Sequence, residues 1–269
     1  MLNNKRHKNF HSLYDSYFGQ KLLNFEQETV NQFTEGFYGR DGLLLGIPQL
    51  KIRKNTISGT WFIDNYSINN FINIKNEQNI KKSFPISPNI TNNLVVSQSY
   101  TQLPFQNRSI DLIVASHTLD NTEYPEEVCR EFVRVLNADG VLIISLYNPK
   151  SIIKYTKNFR WINSQLSLNW TRLNAKRICE WLTVLGLQIE QAKFGLYMPI
   201  VYKPSELINS KFQKKIYKWI SLIGERWFAS MGAVYVLMAR KRVFLPNTKT
   251  TKSNTKIIVG KPTPVTAKV

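Results

Sequence analysis

A few positions combine a reactive or ligand-binding side chain with a distinctive place in the hydrophobic pattern. His117 follows the apolar run IDLIVAS, and a neutral imidazole there is suited to take a proton from a nucleophile near pH 7. Asp64 closes the run TWFID and stands 18 residues after Gly46, a spacing tolerated in a nucleotide-binding β-α-β unit, although no convincing helix intervenes. A turn-forming aspartate in DNYS is the rival reading of Asp64, and an ordinary strand-ending turn is the rival reading of Gly46. Asp120 reads equally as a cap near the following helix and as a substrate contact.

Other chemistries have little support. The aspartates are only Asp15, Asp41, Asp64, Asp111, Asp120 and Asp139, which limits mechanisms built on carboxylate pairs or Mg²⁺ cages. Cys129 and Cys179 lack metal-ligand spacing, so neither a zinc site nor a disulfide framework follows. His7 and His11 lie in a basic start and carry no site signal.

The elements that must position these groups alternate between short apolar runs and helical periodicities, as in a parallel sheet covered by helices on both faces. Strands are predicted at 43–47, 60–64, 93–97, 110–116, 140–147, 187–195 and 232–243. The clearest helix follows Pro125, with Glu126 and Glu127 in its first turn and Val128, Phe132, Val135 and Leu136 as its buried stripe. Asn137 to Gly140 is read as a turn, making 110–147 one β-α-β unit. A second helix, from about Asn174 to Leu185, ends at Gly186. A third, after Ser205, sets Leu207, Phe212, Ile216 and Trp219 against Lys211, Lys214, Lys215 and Lys218.

With 269 residues, 43% of them hydrophobic, the chain is long enough for a sizeable core. Its net charge of +18 is uneven: after Glu225 there is no acid, and nine Lys and Arg follow. The expected organisation is a flexible basic start at 1–11, one domain at 12–245 and a disordered basic tail at 246–269, with 65–79 as a polar loop. No apolar run reaches the ~18 residues of a spanning helix, and a cytoplasmic protein is expected.

Residues 103–149 resemble the central block of class I S-adenosylmethionine-dependent methyltransferases of the type 11 group. Leu103, Pro104 and Phe105, then Ile110 and Asp111, then Glu131, Arg134, Val135 and Leu136, and finally Gly140 match its pattern in order and spacing. A narrower likeness to a bacterial methyltransferase-like subfamily runs through FGQKLLNFEQETVNQ, YNPKS and GAVYVLMARKRV, covering nearly all of 12–245. The resemblance implies a Rossmann-like, seven-stranded α/β sheet with its last strand antiparallel, and S-adenosylmethionine over the carboxyl ends of the early strands. It further implies Gly46 beside the methionine moiety, Asp64 on the ribose, Ser99 and Leu103 at the adenine, and His117 facing the methyl donor as cofactor-edge or catalytic residue.

The chain departs from the pattern in two places. A single Gly46 replaces the usual acid and G-x-G-x-G, with no acidic residue at Leu43 to Leu45, and uncharged Ser99 stands where an acid commonly meets adenine. The implied function is methyl transfer to an unidentified acceptor. The alternative is a cofactor-free interaction module whose basic surface binds nucleic acid or protein.

Overall fold

Three consecutive leucines at 43–45 leave no polar alternation, so a strand made of them must be covered on both faces. The computed structural model describes residues 17–47, 49–53, 56–64, 93–96, 99–151, 173–197 and 229–242. Helix α1 (Tyr17–Phe33) precedes β1 (Gly39–Leu45), β2 (Ile57–Asp64), β3 (Asn93–Val96) and β4 (Ile110–Ser116). Then follow α2 (Pro125–Val135), β5 (Leu136–Tyr147), α3 (Ala175–Val184), β6 (Leu187–Gly195) and β7 (Val234–Lys241). The seven strands form one sheet in the order β3-β2-β1-β4-β5-β7-β6. Pairs among β1 to β5 are parallel, and β7 is antiparallel to both β5 and β6.

Alternation along each strand sorts the apolar side chains into two cores. Leu44, Leu112, Val114, Ile143 and Val236 pack with Leu22, Val30 and Phe33 of α1. Leu43, Ile113, Leu142, Ile144 and Leu237 pack with Phe132 and Val135 of α2 and with Ile178 and Leu182 of α3. Pro125 begins α2, and the Asn174 side chain caps α3 by accepting from the Arg177 N–H at 2.8 Å.

The predicted boundaries of β1 and β5 are corrected. β1 begins at Gly39, because pairing with β2 extends back to Ile57, and it stops before Gly46, whose φ of +93° takes the backbone out of the β region. The turn expected at Asn137 to Gly140 is instead part of β5, which starts at Leu136 opposite Ile110 and is bulged there, with Asp139 at φ +58°. Asn137 is held in the bulge by donating to Asp111 at 2.6 Å.

The residues that carry the resemblance lock the approach to β4. Glu131 accepts the Leu103 N–H at 2.7 Å, while Arg134 donates to the carbonyls of Leu103 at 3.1 Å and Phe105 at 2.9 Å. Glu131 and Arg134 also pair with each other at 2.7 Å, so the E-x-x-R spacing pins the L-P-F segment against α2. The amphipathic helix expected after Ser205, the loop at 65–79, and the basic start and tail fall outside the described residues.

Candidate functional site

Register places the expected site residues on one edge. Leu45 pairs with Ile63 and Ala115, and Ala115 pairs with Ile144, so the next row at the carboxyl ends holds Asp64, Gly46, Ser116 and Ser145. Sheet order reverses between β1 and β4, the position where open α/β sheets form their ligand crevice. Asp64 and Gly46 are therefore brought to the same edge from neighbouring strands. Ser99 and Leu103 lie on the segment that leads into β4.

Each of these has a distinct local setting. At Gly46 a Cβ would lie 2.0 Å from the carbonyl oxygen of Ser116 and 3.2 Å from Thr118 Oγ1, so the chain leaving β1 presses on the end of β4 and only glycine fits. Ser99 Oγ accepts the Thr101 N–H at 3.2 Å, forming a small turn. Leu103 is buried, and its N–H is committed to Glu131.

His117 is at the centre of a buried polar cluster. Its backbone is left-handed, with φ +52°, and its N–H donates to Ser145 O at 2.9 Å. The ring stacks on Tyr147 with centroids 3.8 Å apart. Nδ1 faces Asp120 Oδ2 at 2.8 Å and Nε2 faces Glu26 Oε1 at 3.1 Å, with the His117 and Glu26 side chains both 0% exposed. Ser145 Oγ donates to the same Glu26 carboxylate, and Asp120 also accepts the Tyr147 N–H at 3.1 Å.

Burial opposes a charge on His117, but attraction from Glu26 and hydrogen bonding to Asp120 outweigh it and push its pKa up to about 9. The neutral imidazole expected from sequence is thus corrected. At pH 7 this ring is an imidazolium clamped between two carboxylates, with no lone pair to remove a proton. Asp120 does not cap the following helix; it bonds His117 and the Tyr147 N–H of β5.

A stability consequence follows from the raised pKa. The contribution of His117 is complete below about pH 6.5 and is lost as pH rises through about 9, amounting to about 3 kcal/mol. Urea unfolding at successive pH values is expected to show that loss, with ring ¹⁵N shifts reporting both nitrogens protonated at pH 7. A flat profile, or a neutral ring at pH 7, contradicts the clamp.

Glu26 was not singled out by sequence reasoning, yet it completes the cluster. Its Oε2 is buried with no hydrogen-bond partner among the described residues. Among the described residues, the carboxylates of Glu26 and Asp120 face one imidazole between them. No set of three or more His, Cys, Asp or Glu with metal-binding geometry occurs among the described residues. None of their helices is long and apolar enough to cross a membrane.

Comparison with known proteins agrees with this architecture. A chain from the complex of the Haloferax volcanii Trm112 methyltransferase activator and a putative methyltransferase superposes with TM-score 0.55 at 12% identity, covering 87% of this chain and 98% of that one. A S-adenosylmethionine-dependent methyltransferase from Archaeoglobus fulgidus gives 0.53 at 15%, covering 86% and 99%. A putative sarcosine dimethylglycine methyltransferase from Galdieria sulphuraria gives 0.52 at 16%, covering 83% and 86%. These likenesses show a mixed α/β, methyltransferase-like fold.

The sequence match is more particular. Residues 71–144 match the model of a methyltransferase domain. An uncharacterized protein of Escherichia coli K12, YafS, is 26% identical over 140 residues, covering 52% of this chain and 52% of that protein. The chain thus spans about half the length of the curated relative it matches.

Proposed function

We propose that the chain is a S-adenosylmethionine-dependent methyltransferase whose cofactor lies over the carboxyl ends of β1, β2 and β4. The observation that carries this reading is the convergence of Gly46, Asp64 and the end of β4 in one row beside the reversal in strand order, within a domain of the methyltransferase family. Asp64 would accept from the ribose hydroxyls, Gly46 would let backbone approach the methionine moiety, and Ser99 and Leu103 would border the adenine. When bound, the cofactor supplies an electrophilic methyl group on a sulfonium.

The residues of the chain then have to align an acceptor for in-line displacement, which calls mainly for proximity and orientation. His117 keeps its proton at neutral pH and serves as a positioning residue holding the ends of β4 and β5. This favours an acceptor that is already nucleophilic at pH 7, such as a carboxylate. The acceptor itself is unidentified, and a cytoplasmic location belongs to the same reading.

Isothermal calorimetry on the full chain tests it. Binding of S-adenosylmethionine and S-adenosylhomocysteine is expected with Kd on the order of micromolar, weakened about tenfold or more in Asp64→Ala. Absence of heat at millimolar ligand would sink the reading and turn attention to a cofactor-free module with a basic surface.

A further inference from the structure

β1 ends in Leu43, Leu44 and Leu45 and offers no anion to a positively charged ligand at its carboxyl end. The anion is supplied from elsewhere. Helix α1 is tied to the segment that follows β1 by a reciprocal pair of bonds, in which Gln27 accepts the Lys51 N–H at 2.8 Å and donates to the Lys51 carbonyl at 2.7 Å. The neighbouring Glu26 reaches the end of β4, where His117 lies between Ser116 and Thr118, the two residues against which Gly46 packs. Glu26 therefore belongs to the same corner of the sheet as the loop leaving β1.

We propose that Glu26, through Oε2, receives the primary ammonium of the aminocarboxyl end of S-adenosylmethionine, a carboxylate delivered from α1 in place of one on β1. This rests on the cofactor reading above. Oε1 is occupied by His117 and Ser145, whereas Oε2 accepts nothing among the described residues although it is buried. The cluster of Glu26, His117 and Asp120 has two acids and one cation, and Ser145 and Tyr147, which face it from β5, add no positive charge. An ammonium at Oε2 satisfies the orphan acceptor and neutralises the cluster in one contact. In surroundings shielded from water such a charge-assisted bond is stronger than one made at the surface. A metal ion is a poorer fit, because both His117 nitrogens are turned to carboxylates.

The test compares S-adenosylhomocysteine with 5′-methylthioadenosine, which keeps the nucleoside and thioether but lacks the aminocarboxyl end. Glu26→Gln is expected to weaken S-adenosylhomocysteine about tenfold or more and to leave methylthioadenosine within about twofold. Glu26→Asp, which keeps the charge but withdraws it by one methylene, is expected to lose less, and again only for S-adenosylhomocysteine. On the unaltered chain, the deaminated analogue of S-adenosylhomocysteine is expected to bind about tenfold more weakly than the parent. Equal weakening of both ligands in the variants would make Glu26 a purely structural residue and overturn the proposal, as would unchanged binding or full affinity for the deaminated analogue. Failure of the unaltered chain to bind either nucleoside would instead mark failure of the cofactor reading itself.

Discussion

Gly46→Ala is expected to destabilise the protein by about 3 kcal/mol or more, a large effect for one methyl group. The backbone there has φ +93°, a conformation costing an alanine about 1–2 kcal/mol by itself. The added carbon would also lie 2.0 Å from the Ser116 carbonyl oxygen, so β1 and β4 must separate at the edge where the site is built. Main chain cannot swing aside as a flexible side-chain end can. Urea unfolding checks the size of the effect, and a loss below about 1 kcal/mol would mean that the close approach of the two strands is not as described.

His117→Leu has a comparable expected cost of about 3–5 kcal/mol, because it removes the imidazolium that lies between Glu26 and Asp120 while leaving both acids in place. A surface pair gives the contrast. Lys176 and Glu180 approach to 3.8 Å with side chains 87% and 60% exposed, and Lys176→Ala is expected to change stability by no more than about 0.5 kcal/mol. Denaturant midpoints for the two variants should differ widely. Equal effects would show that the His117 cluster is far more hydrated than its burial indicates.

The parts of the fold legible in the sequence were those in which one local pattern determines one element. β4 coincides with the run IDLIVAS at Ile110–Ser116, and α2 starts at the proline predicted to open it. The L-P-F and E-x-x-R segments, about 30 residues apart, were legible as a resemblance because their spacing encodes a hydrogen-bonded lock. The start of β5 was not legible. Asn137 and Gly140 have turn chemistry, yet the pairing of Leu136 with Ile110 absorbs them as a bulge.

Register brings Gly46, Asp64 and the end of β4 to one edge, whereas the buried partners of His117 were not legible. His117 was identified from the end of a strand, but its protonation depends on Glu26, which no local pattern links to it. The carboxylate of Glu26 meets Ser145 across 119 positions of sequence. One signal was available: Glu26 occupies the apolar stripe of α1, four residues after Leu22 and four before Val30, and an acid on such a stripe needs a buried partner. Asp120, three residues after His117, was noticed without that partner and so read equally as a cap and as a substrate contact.

The most direct measurement of the central claim is amide hydrogen exchange of the full chain with and without S-adenosylhomocysteine. Protection is predicted at the carboxyl edge, in residues 46–47, 49–53, 99–103 and 116–121, where the ends of β1 and β4 and the approach to β4 converge. No change is predicted at the opposite edge, where Phe37, Tyr38, Asp111, Glu190 and Arg240 line a separate cleft. Protection confined to that cleft, or none at saturating ligand, would contradict a cofactor site at the carboxyl ends of the sheet.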